Sequence, residues 1–253
     1  MKKYSTDLND LQWQIIEKIQ NDHRIRRHKL RNIWNAVFYI TKSGCQWRML
    51  PSDFAPWQTV YYYFRKWKME GLIEEIHDML VTKVRINSGK KETPTVGIID
   101  SQSVKTTLVA GESRGYDAGK KTKGRKRHII VDTMGLLLAV VVHSADIQDR
   151  DGAKMAMDNL RHKYFRILKI FADGGYAGQL IDYVKEKFNW VLEIVKRNET
   201  GMFKVLPKRW IVERTISWIN NYRRNSKDYE NLTETSEAII QLAMIRIMLN
   251  RKI

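Results

Sequence analysis

The chain has 253 residues, and its 45 Lys and Arg residues outnumber its 28 Asp and Glu residues to give a formal charge of +17. Hydrophobic residues make up 43% of the chain, which supplies a sizeable core and excludes a disordered or low-complexity protein. A single cysteine excludes a disulfide framework and a multi-cysteine zinc site. No apolar run approaches the roughly 20 residues that a membrane span requires, and the N-terminus lacks the apolar segment of a signal peptide.

Basic residues exceed acidic residues in every third of the chain. This distribution favours a polyanion that runs across the whole molecule, such as double-stranded DNA, over one basic arm on a neutral enzyme. Neither a membrane nor a small-molecule substrate is expected as a partner. A solvated basic surface would give the same composition and stays as the alternative. The expected location is cytoplasmic and nucleoid-associated, in a bacterial cell.

Helical spacing dominates the first third. A first helix is predicted after the possible caps Ser5 and Thr6, a second ends before Gly44, a third runs from Pro56 to Gly71, and a fourth starts at Ile73. The apolar positions that define the first two helices are Leu8, Leu11, Ile15 and Ile19, and then Leu30, Ile33, Val37 and Ile40. Residues 1–88 are therefore predicted to form an all-α domain, with the best linker of the chain at residues 86–95.

The third helix has two different faces. Val60, Phe64 and Trp67 share one face, which leaves Arg65 and Lys66 on a basic and aromatic outer side. Such a helix suits a helix-turn-helix placed in a major groove, where Arg reads guanine and Lys holds phosphate. An ordinary solvated face over an aromatic core is the alternative.

The apolar pattern changes after Thr95 to short continuous runs, which are typical of strands buried on both faces. The runs are 96–99, 128–131, 136–142, 167–172 and 190–195, with a hairpin turn at 132–135 and a helical stretch at 146–169. Three antiparallel strands followed by helix-linked parallel strands give the order of a ribonuclease-H-like fold, in which the first and fourth strands are parallel neighbours. Residues 89–253 are therefore predicted to form an α/β domain, a mixed five-stranded sheet with flanking helices.

Carboxylates stand at three informative positions. Asp100 and Asp173 each follow an apolar strand, and Glu213 lies on the polar face of a helix with Arg209 one turn before it. An Asp after a strand is usually a turn former, and Arg209 with Glu213 suits a plain surface ion pair. Two carboxylates at neighbouring strand ends, where α/β sheets bind ligands, favour a shared site. Two Asp and one Glu are a sufficient ligand set for two Mg²⁺ ions, with Mn²⁺ as a possible substitute, in phosphodiester cleavage.

Residues 119–127 contain six cations in nine positions, directly before the second expected strand. We expect this loop to contact phosphate, although a solvated charge run is the usual explanation. The residues expected to contact DNA are Arg65, Lys66, Lys120, Lys121, Lys123, Arg125, Lys126, Arg127, Arg209, Arg214, Arg223 and Arg224.

Four ordered motifs closely resemble the bacterial insertion-sequence transposases of the insertion sequence five family. They are Gly97 to Lys105, Arg125 to Asp132, Ala172 to Tyr176 and Arg209 to Thr215, and the stretches Ser43 to Pro51 and Tyr61 to Trp67 extend the resemblance over nearly the whole chain. The resemblance implies an Asp-Asp-Glu catalytic triad at Asp100, Asp173 and Glu213. It also implies a DNA transposase that binds terminal inverted repeats, catalyses Mg²⁺-dependent strand cleavage and strand transfer, and works as a homodimer on DNA.

The chain departs from the family signature around the Glu. Arg209 occupies the Arg position, but Leu206 and Asn220 stand where Tyr and Lys are expected, and Arg223 or Arg224 is conjectured to replace the lost cation. Two other functions stay open at this point. One is a transposase-derived DNA-binding protein without catalysis, and the other is a metal-dependent nuclease that cuts without joining.

Overall fold

The computed structural model describes residues 3–108, 111, 113–195 and 208–251. The chain divides into two compact units. The helical unit comprises residues 1–87, 219–226 and 238–253, and the sheet unit comprises residues 88–218 and 227–237. The break after residue 87 lies one residue before the expected end of the N-terminal domain. The segments 219–226 and 238–253 depart from that expectation, because they group with the N-terminal helices and not with the sheet.

Helices build the first of these units, largely as the apolar spacing predicts. They are α1 (Asp10–Gln20), α2 (Leu30–Ser43), α3 (Trp57–Met69) and α4 (Leu72–Asn87), with α8 (Thr233–Leu249) contributing its residues from 238 onward. Trp34 of α2 and Trp67 of α3 stack in the core with ring centroids 4.2 Å apart. The predicted inner face of α3 is confirmed, since Val60 and Phe64 are fully buried as well. No described helix is long and apolar enough to cross a membrane.

The start of α1 differs from the prediction. Asn9, and not Ser5 or Thr6, caps the helix: its side chain accepts a hydrogen bond from the Gln12 amide, and the Gln12 side chain accepts one from the Asn9 amide. The buried side of the helix is set by Gln12 and Ile16, and Leu11 is 73% exposed. The predicted core position at Leu11 is therefore wrong.

The sheet unit is built on one mixed sheet. Its strands are β1 (Val96–Lys105), β2 (Gly115–Asp117), β3 (Thr122–Val131), β4 (Leu137–Ser144), β5 (Lys169–Ala172) and β6 (Val191–Ile194). Helices α5 (Asp149–Lys163) and α6 (Leu180–Phe188) connect the last three strands, and α7 (Arg209–Asn220) begins in this unit. The apolar strands are buried along nearly their whole length, as β4 shows, which explains their continuous hydrophobic runs.

Strand order confirms the predicted fold. Strand β3 pairs antiparallel with β1, β2 and β4, whereas β1 pairs parallel with β5, and β5 with β6. This is the ribonuclease-H-like order, and β1 and β5 are the expected parallel neighbours. The three-residue strand β2 was not predicted, so the sheet has six strands instead of five. Residues 122–127 also differ from the prediction, because they form the first half of β3 and not a loop.

Candidate active site

Asp100 and Asp173 come from neighbouring parallel strands. The pairing of β1 with β5 ends at Ile98 and Phe171, and each Asp follows two residues later. Contrary to the prediction, β1 does not end at Asp100: it continues to Lys105 along β3, with Asp100 opposite Ile129. Asp100 therefore projects from the strand at the point where β5 stops, and the regular backbone of β1 fixes its position.

Asp173 begins the short 3-10 turn Gly174–Tyr176 that follows β5. One of its carboxylate oxygens, Oδ1, accepts a hydrogen bond from the amide of Gly175 at 2.9 Å. The other, Oδ2, lies 3.4 Å from the Nη2 atom of Arg209. The turn thus orients the carboxylate and leaves one oxygen directed at a cation.

Arg209 connects two of the three predicted carboxylates. Its Nε atom lies 3.0 Å from the Oε1 atom of Glu213, one helical turn further along α7, while its Nη2 atom contacts Asp173. The side chains of Asp173 and Glu213 are 27% and 53% exposed, so both ion pairs are open to solvent. One guanidinium group therefore neutralises two carboxylates and holds Glu213 near the ends of the strands.

The β3–β4 turn positions α7 beside the site. Arg214 donates a hydrogen bond from Nη2 to the carbonyl oxygen of Met134 at 3.1 Å, and Thr215 donates one from its hydroxyl to the carbonyl oxygen of Gly135 at 2.9 Å. The guanidinium of Arg214 also lies over the rings of Trp210 and Trp218, at 4.6 and 4.5 Å from their centroids. Arg214, expected to bind DNA, thus anchors the helix that carries Glu213.

Burial raises the pKa of Asp100 to about 6. The amide of Ser101, which donates a hydrogen bond to the carboxylate at 2.7 Å, opposes this rise. The negative charge of Asp173 adds to the rise, and the positive charges of Arg209 and Lys120 oppose it. Asp100, Asp173 and Arg209 therefore form one electrostatic cluster, and a perturbed carboxylate of this kind is typical of a functional site.

A polar network lies behind Asp100. Lys120 donates hydrogen bonds from Nζ to the carbonyl and hydroxyl oxygens of Ser101, and the Ser101 hydroxyl donates to Asp149 at 3.3 Å. Asp149 pairs in turn with Lys126 at 2.8 Å, and Lys126 lies 3.3 Å from Asp117. Burial alone would raise the pKa of Asp117. Hydrogen bonds from the Ser103 side chain and the Lys120 amide, together with the positive charge of Lys126, outweigh burial and lower this pKa to about 2. The sequence carried no signal for Asp149, which follows the last expected antiparallel strand by several residues.

His128 and His143 are buried side by side near this network. Nδ1 of His143 lies 2.7 Å from the carbonyl oxygen of Ser144 and therefore carries a proton, so its Nε2 accepts a hydrogen bond from Nδ1 of His128 at 2.9 Å. Burial lowers the pKa of both rings, which keeps them neutral at pH 7. His143 is a satisfied polar group of the core, as expected from its place in a strand. The expectation fails in part for His128, because its Nε2 atom is buried without a hydrogen-bond partner among the described residues.

The expectation of phosphate contact is wrong for three residues of the cationic run. Arg125, Lys126 and Arg127 are at most 4% exposed and bond to protein groups. Arg125 donates to Asp228 at 3.1 Å and to the carbonyl oxygen of Glu230 at 2.9 Å. Lys120 is engaged with Ser101, which leaves the exposed side chains of Lys121 and Lys123 for a polyanion.

The other expected DNA contacts divide in the same way. Arg65 is exposed on α3, and Lys66 lies 3.7 Å from Glu70. Arg223 is exposed, but Arg224 is buried and donates to the carbonyl oxygen of Cys45 at 3.1 Å, so it is committed to the helical unit. Arg224 is therefore not a free replacement for the missing signature Lys. Leu206, where the signature has Tyr, lies outside the described residues.

The three predicted carboxylates suit a hard divalent cation, because such ions prefer oxygen ligands. The guanidinium of Arg209 already places a positive charge between Asp173 and Glu213. Among the described residues, no group of three His, Cys, Asp or Glu side chains is close enough to enclose a metal ion. The guanidinium of Arg209 lies between the carboxylates of Asp173 and Glu213, and this is one reason why these two groups do not enclose an ion. Arg209 must release a carboxylate before Asp173 and Glu213 can both act as metal ligands.

Two family models match the chain. One, described as a transposase DDE domain, matches residues 91–248, which is more than half of the chain, and the other, described as a putative transposase of the IS4/5 family, matches residues 8–77. The chain belongs to the DDE transposase family. This confirms the resemblance at the level of the IS4/5 group, and membership of the DDE transposase family implies dependence on a divalent metal ion.

A curated relative agrees with this assignment. It is described as a putative transposase for the insertion sequence element IS402 of Burkholderia cepacia and is 27% identical to this chain over 134 residues. The aligned segment covers 50% of this chain and 64% of the relative, less than two thirds of the relative's length.

Proposed function

We propose that this protein is the transposase of a bacterial insertion sequence and that it binds the terminal inverted repeats of its element. It then cleaves the DNA strand at the element end and transfers that end to target DNA. A water oxygen attacks the phosphodiester phosphorus, and the bond to the departing 3′ oxygen breaks to leave a 3′-hydroxyl on the element. That hydroxyl next attacks a phosphodiester of the target and displaces a target 3′-hydroxyl.

One observation carries this proposal. Asp100 and Asp173 follow neighbouring parallel strands, and Arg209 joins Glu213 to Asp173. A DDE transposase needs two Asp and one Glu at one edge of its sheet, and Asp100, Asp173 and Glu213 are the residues proposed for these positions in a domain that matches the family. A structural explanation is weaker, because two partly exposed carboxylates that share one guanidinium contribute little to stability.

The triad would hold two Mg²⁺ ions, with Mn²⁺ as a substitute. Asp100, Asp173 and Glu213 would supply the carboxylate ligands of these ions. When bound, the ions supply Lewis acidity and charge neutralisation for hydrolysis and transesterification of the phosphodiester. Arg209, once it has released a carboxylate, is placed to hold a phosphate oxygen of the DNA end, because a guanidinium matches phosphate geometry.

Double-stranded DNA is the proposed partner, and a cytoplasmic, nucleoid-associated location follows from it. The exposed cations Lys121 and Lys123 in the sheet unit and Arg65 in the helical unit are the proposed phosphate contacts. A homodimer is the proposed active assembly, because each of the two element ends requires an active site. Gel filtration with end DNA should give a complex of two chains, and an active complex of one chain with one end would contradict the dimer.

Alanine substitutions test the proposed triad. Asp100→Ala, Asp173→Ala and Glu213→Ala should each abolish cleavage of DNA that carries the flanking inverted repeats, while binding of that DNA stays within a few fold of the wild type. The assay contains Mg²⁺, labelled end DNA and a target plasmid, so that cleaved and joined products are separated on one gel. Normal cleavage by Asp100→Ala protein would overturn the mechanism, and cleavage by the wild type without joined products would indicate a nuclease.

A further inference from the structure

A strongly basic segment connects α1 to α2. It lies outside α3, the helix that the sequence predicts to bind DNA. Residues 21–29, here called the basic loop, contain Arg24, Arg26, Arg27 and Lys29, and Arg31 follows in the first turn of α2. Asp22 is the one carboxylate within the segment. The loop and the helices on either side of it all belong to the helical unit.

The loop is held in shape by its own side chains. Asp22 forms ion pairs with both Arg24 and Arg26. Arg26 also donates a hydrogen bond from Nη1 to the carbonyl oxygen of Arg24 at 2.7 Å, and its side chain is only 14% exposed. These contacts fix the backbone between the two arginines, so the loop presents its remaining side chains without a large loss of entropy on binding.

What the loop presents to solvent is positive charge around one apolar side chain. Arg27 and Lys29 are exposed, and no hydrogen bond or ion pair joins either side chain to another described residue. The Arg24 side chain is 69% exposed even though it pairs with Asp22, and Ile25 is fully exposed. Solubility alone would require neither this many cations in one loop nor an exposed Ile beside them.

The loop also borders a cleft and the outer face of α3. The cleft has a volume of about 570 Å³ and is lined by four Lys or Arg side chains, two His side chains and two carboxylates, with Trp13 at one side. Arg26 donates a hydrogen bond from Nε to the hydroxyl of Tyr63 at 3.1 Å, and Tyr63 lies on α3 beside the exposed Tyr62. The basic loop and the outer face of α3 are therefore continuous.

We propose that the basic loop contacts the phosphate backbone of the DNA that the helical unit binds, with Arg27 and Lys29 supplying two phosphate contacts. This inference rests on the proposed transposase function and adds a second contact region to α3. Duplex DNA is the favoured ligand because exposed cations on a braced loop, beside an aromatic and basic helix, match a backbone with regularly spaced charges. Phosphate contacts carry no base preference, so the loop should contribute equally on element ends and on unrelated DNA.

The test measures DNA binding over a series of salt concentrations for the full-length chain. The variant is Arg27→Ala with Lys29→Ala, and the matched control is Lys83→Ala with Lys90→Ala, two exposed lysines outside the loop and α3 that remove the same charge. Removing two phosphate contacts should reduce the slope of log affinity against log salt by about 2. The loss should be the same on duplex DNA from the flanking repeats and on a mixed-sequence duplex.

The outcomes separate this inference from the proposed function. If the wild type binds and cleaves end DNA but the loop variant keeps the wild-type affinity and salt slope, the inference is overturned and the proposed function stands. If the control variant loses as much as the loop variant, the effect is net charge and the inference is also overturned. A wild type that fails to bind or cleave DNA contradicts the proposed function itself. Thermal unfolding midpoints of the two variants should equal that of the wild type, because all four side chains are exposed.

Discussion

Asp100 differs from an ordinary surface carboxylate because burial raises its pKa to about 6. An Asp whose pKa is higher in the folded than in the unfolded state binds its proton more tightly when folded, so the ionised form destabilises the protein. That cost is present above pH 6 and declines as the pH falls from about 6 toward the unfolded pKa of about 4. The ionised carboxylate of Asp100 therefore lowers stability at neutral pH, which fits its proposed role as a metal ligand.

We expect Asp100→Asn to stabilise the metal-free protein at pH 7 by on the order of 1 to 3 kcal/mol, because it removes a poorly solvated charge. The advantage over the wild type should shrink between pH 6 and pH 4, as Asp100 becomes protonated. Chemical denaturation in the presence of a chelator measures the free energy of unfolding of both proteins across this range. An advantage that does not change with pH would show that the charge of Asp100 is not its source.

Arg125 belongs to the cationic run at residues 119–127, but it is a buried residue that bonds to other protein groups. Its side chain is fully buried, and it contacts Asp228, the carbonyl oxygens of Glu230 and Asn231, and that of Ser113. Asp228 is itself only 1% exposed, so loss of its partner leaves a buried carboxylate with less compensation. The sequence could not reveal this, because the partner lies 103 positions away.

We expect Arg125→Met to lower the free energy of unfolding by about 3 to 5 kcal/mol, as breaking a buried ion pair does. Lys121→Ala with Lys123→Ala is the comparison, since both lysines belong to the same run and are exposed. It should change stability by less than about 0.5 kcal/mol and weaken DNA binding instead. Urea denaturation and a DNA-binding titration on each variant separate the two effects. A stable Arg125→Met protein with weakened DNA binding would contradict the buried role.

At the scale of elements, the β3–β4 turn is the part of the sheet that fixes α7. Gly135 has a φ of +79°, which favours glycine, and a Cβ atom there would lie 2.7 Å from the Oγ1 atom of Thr215. The same Thr215 hydroxyl donates to the carbonyl oxygen of Gly135. Glu213 is two residues from this contact, so a displacement of the turn moves the proposed catalytic carboxylate.

We expect Gly135→Ala to cost about 1 to 2 kcal/mol in backbone strain and to lower cleavage at temperatures where the protein remains folded. Gly89→Ala is the matched control, because Gly89 has a similar φ of +71° but a Cβ atom there would meet no other atom within 4 Å. The control should lose similar stability and keep wild-type cleavage. Equal cleavage by the two variants would show that the turn does not position Glu213.

Element by element, the sequence predicted apolar segments better than polar ones. The parallel pairing of β1 with β5 followed from two apolar runs, and it brought Asp100 and Asp173 to one edge. The second half of β1, from Ser101 onward, and the first half of β3 were missed, because polar and cationic residues do not resemble a buried strand. Their polar side chains are paired through Asp117 and Asp149, which lie outside these two strands. Periodicity does not report such pairings.

At the scale of the whole molecule, the division into units does not follow the order of the chain. The segment 238–253 belongs to the helical unit, although it is separated from α4 along the chain by residues 88–237, most of which belong to the sheet unit. Gln12 of α1 donates from Nε2 to the carbonyl oxygen of Leu249 at 2.8 Å and accepts a hydrogen bond from Nη1 of Arg246 at 2.8 Å. Arg246 also donates to the carbonyl oxygen of Asp7 at 3.2 Å. The two ends of the described chain thus complete one fold.

This arrangement predicts that residues 1–87 do not fold as an independent domain. A chain that ends at Glu237 lacks several fully buried apolar side chains of α8, among them Ile240, Leu242 and Ile245. The segment removed contains seven buried Ile, Leu and Met side chains. At about 1.5 to 3 kcal/mol for each, their loss of about 10 to 21 kcal/mol is as large as a typical domain stability of about 5 to 15 kcal/mol. Hydrogen exchange should therefore show α1 and α2 unprotected in the truncated chain, while β1 and β3 stay protected.

Gln12→Ala in the full-length chain tests the same contact between α1 and α8 with a smaller change. It removes the hydrogen-bond partner of the buried Arg246 guanidinium and should lower the free energy of unfolding of the helical unit by about 1 to 3 kcal/mol. Exchange should accelerate in α1 and α8 together, because the contact joins them, and should be unchanged in the strands of the sheet unit. If the truncated chain instead protects α1 and α2 as well as the full-length protein does, the N-terminal helices are a self-sufficient domain and the C-terminal helix only packs onto them.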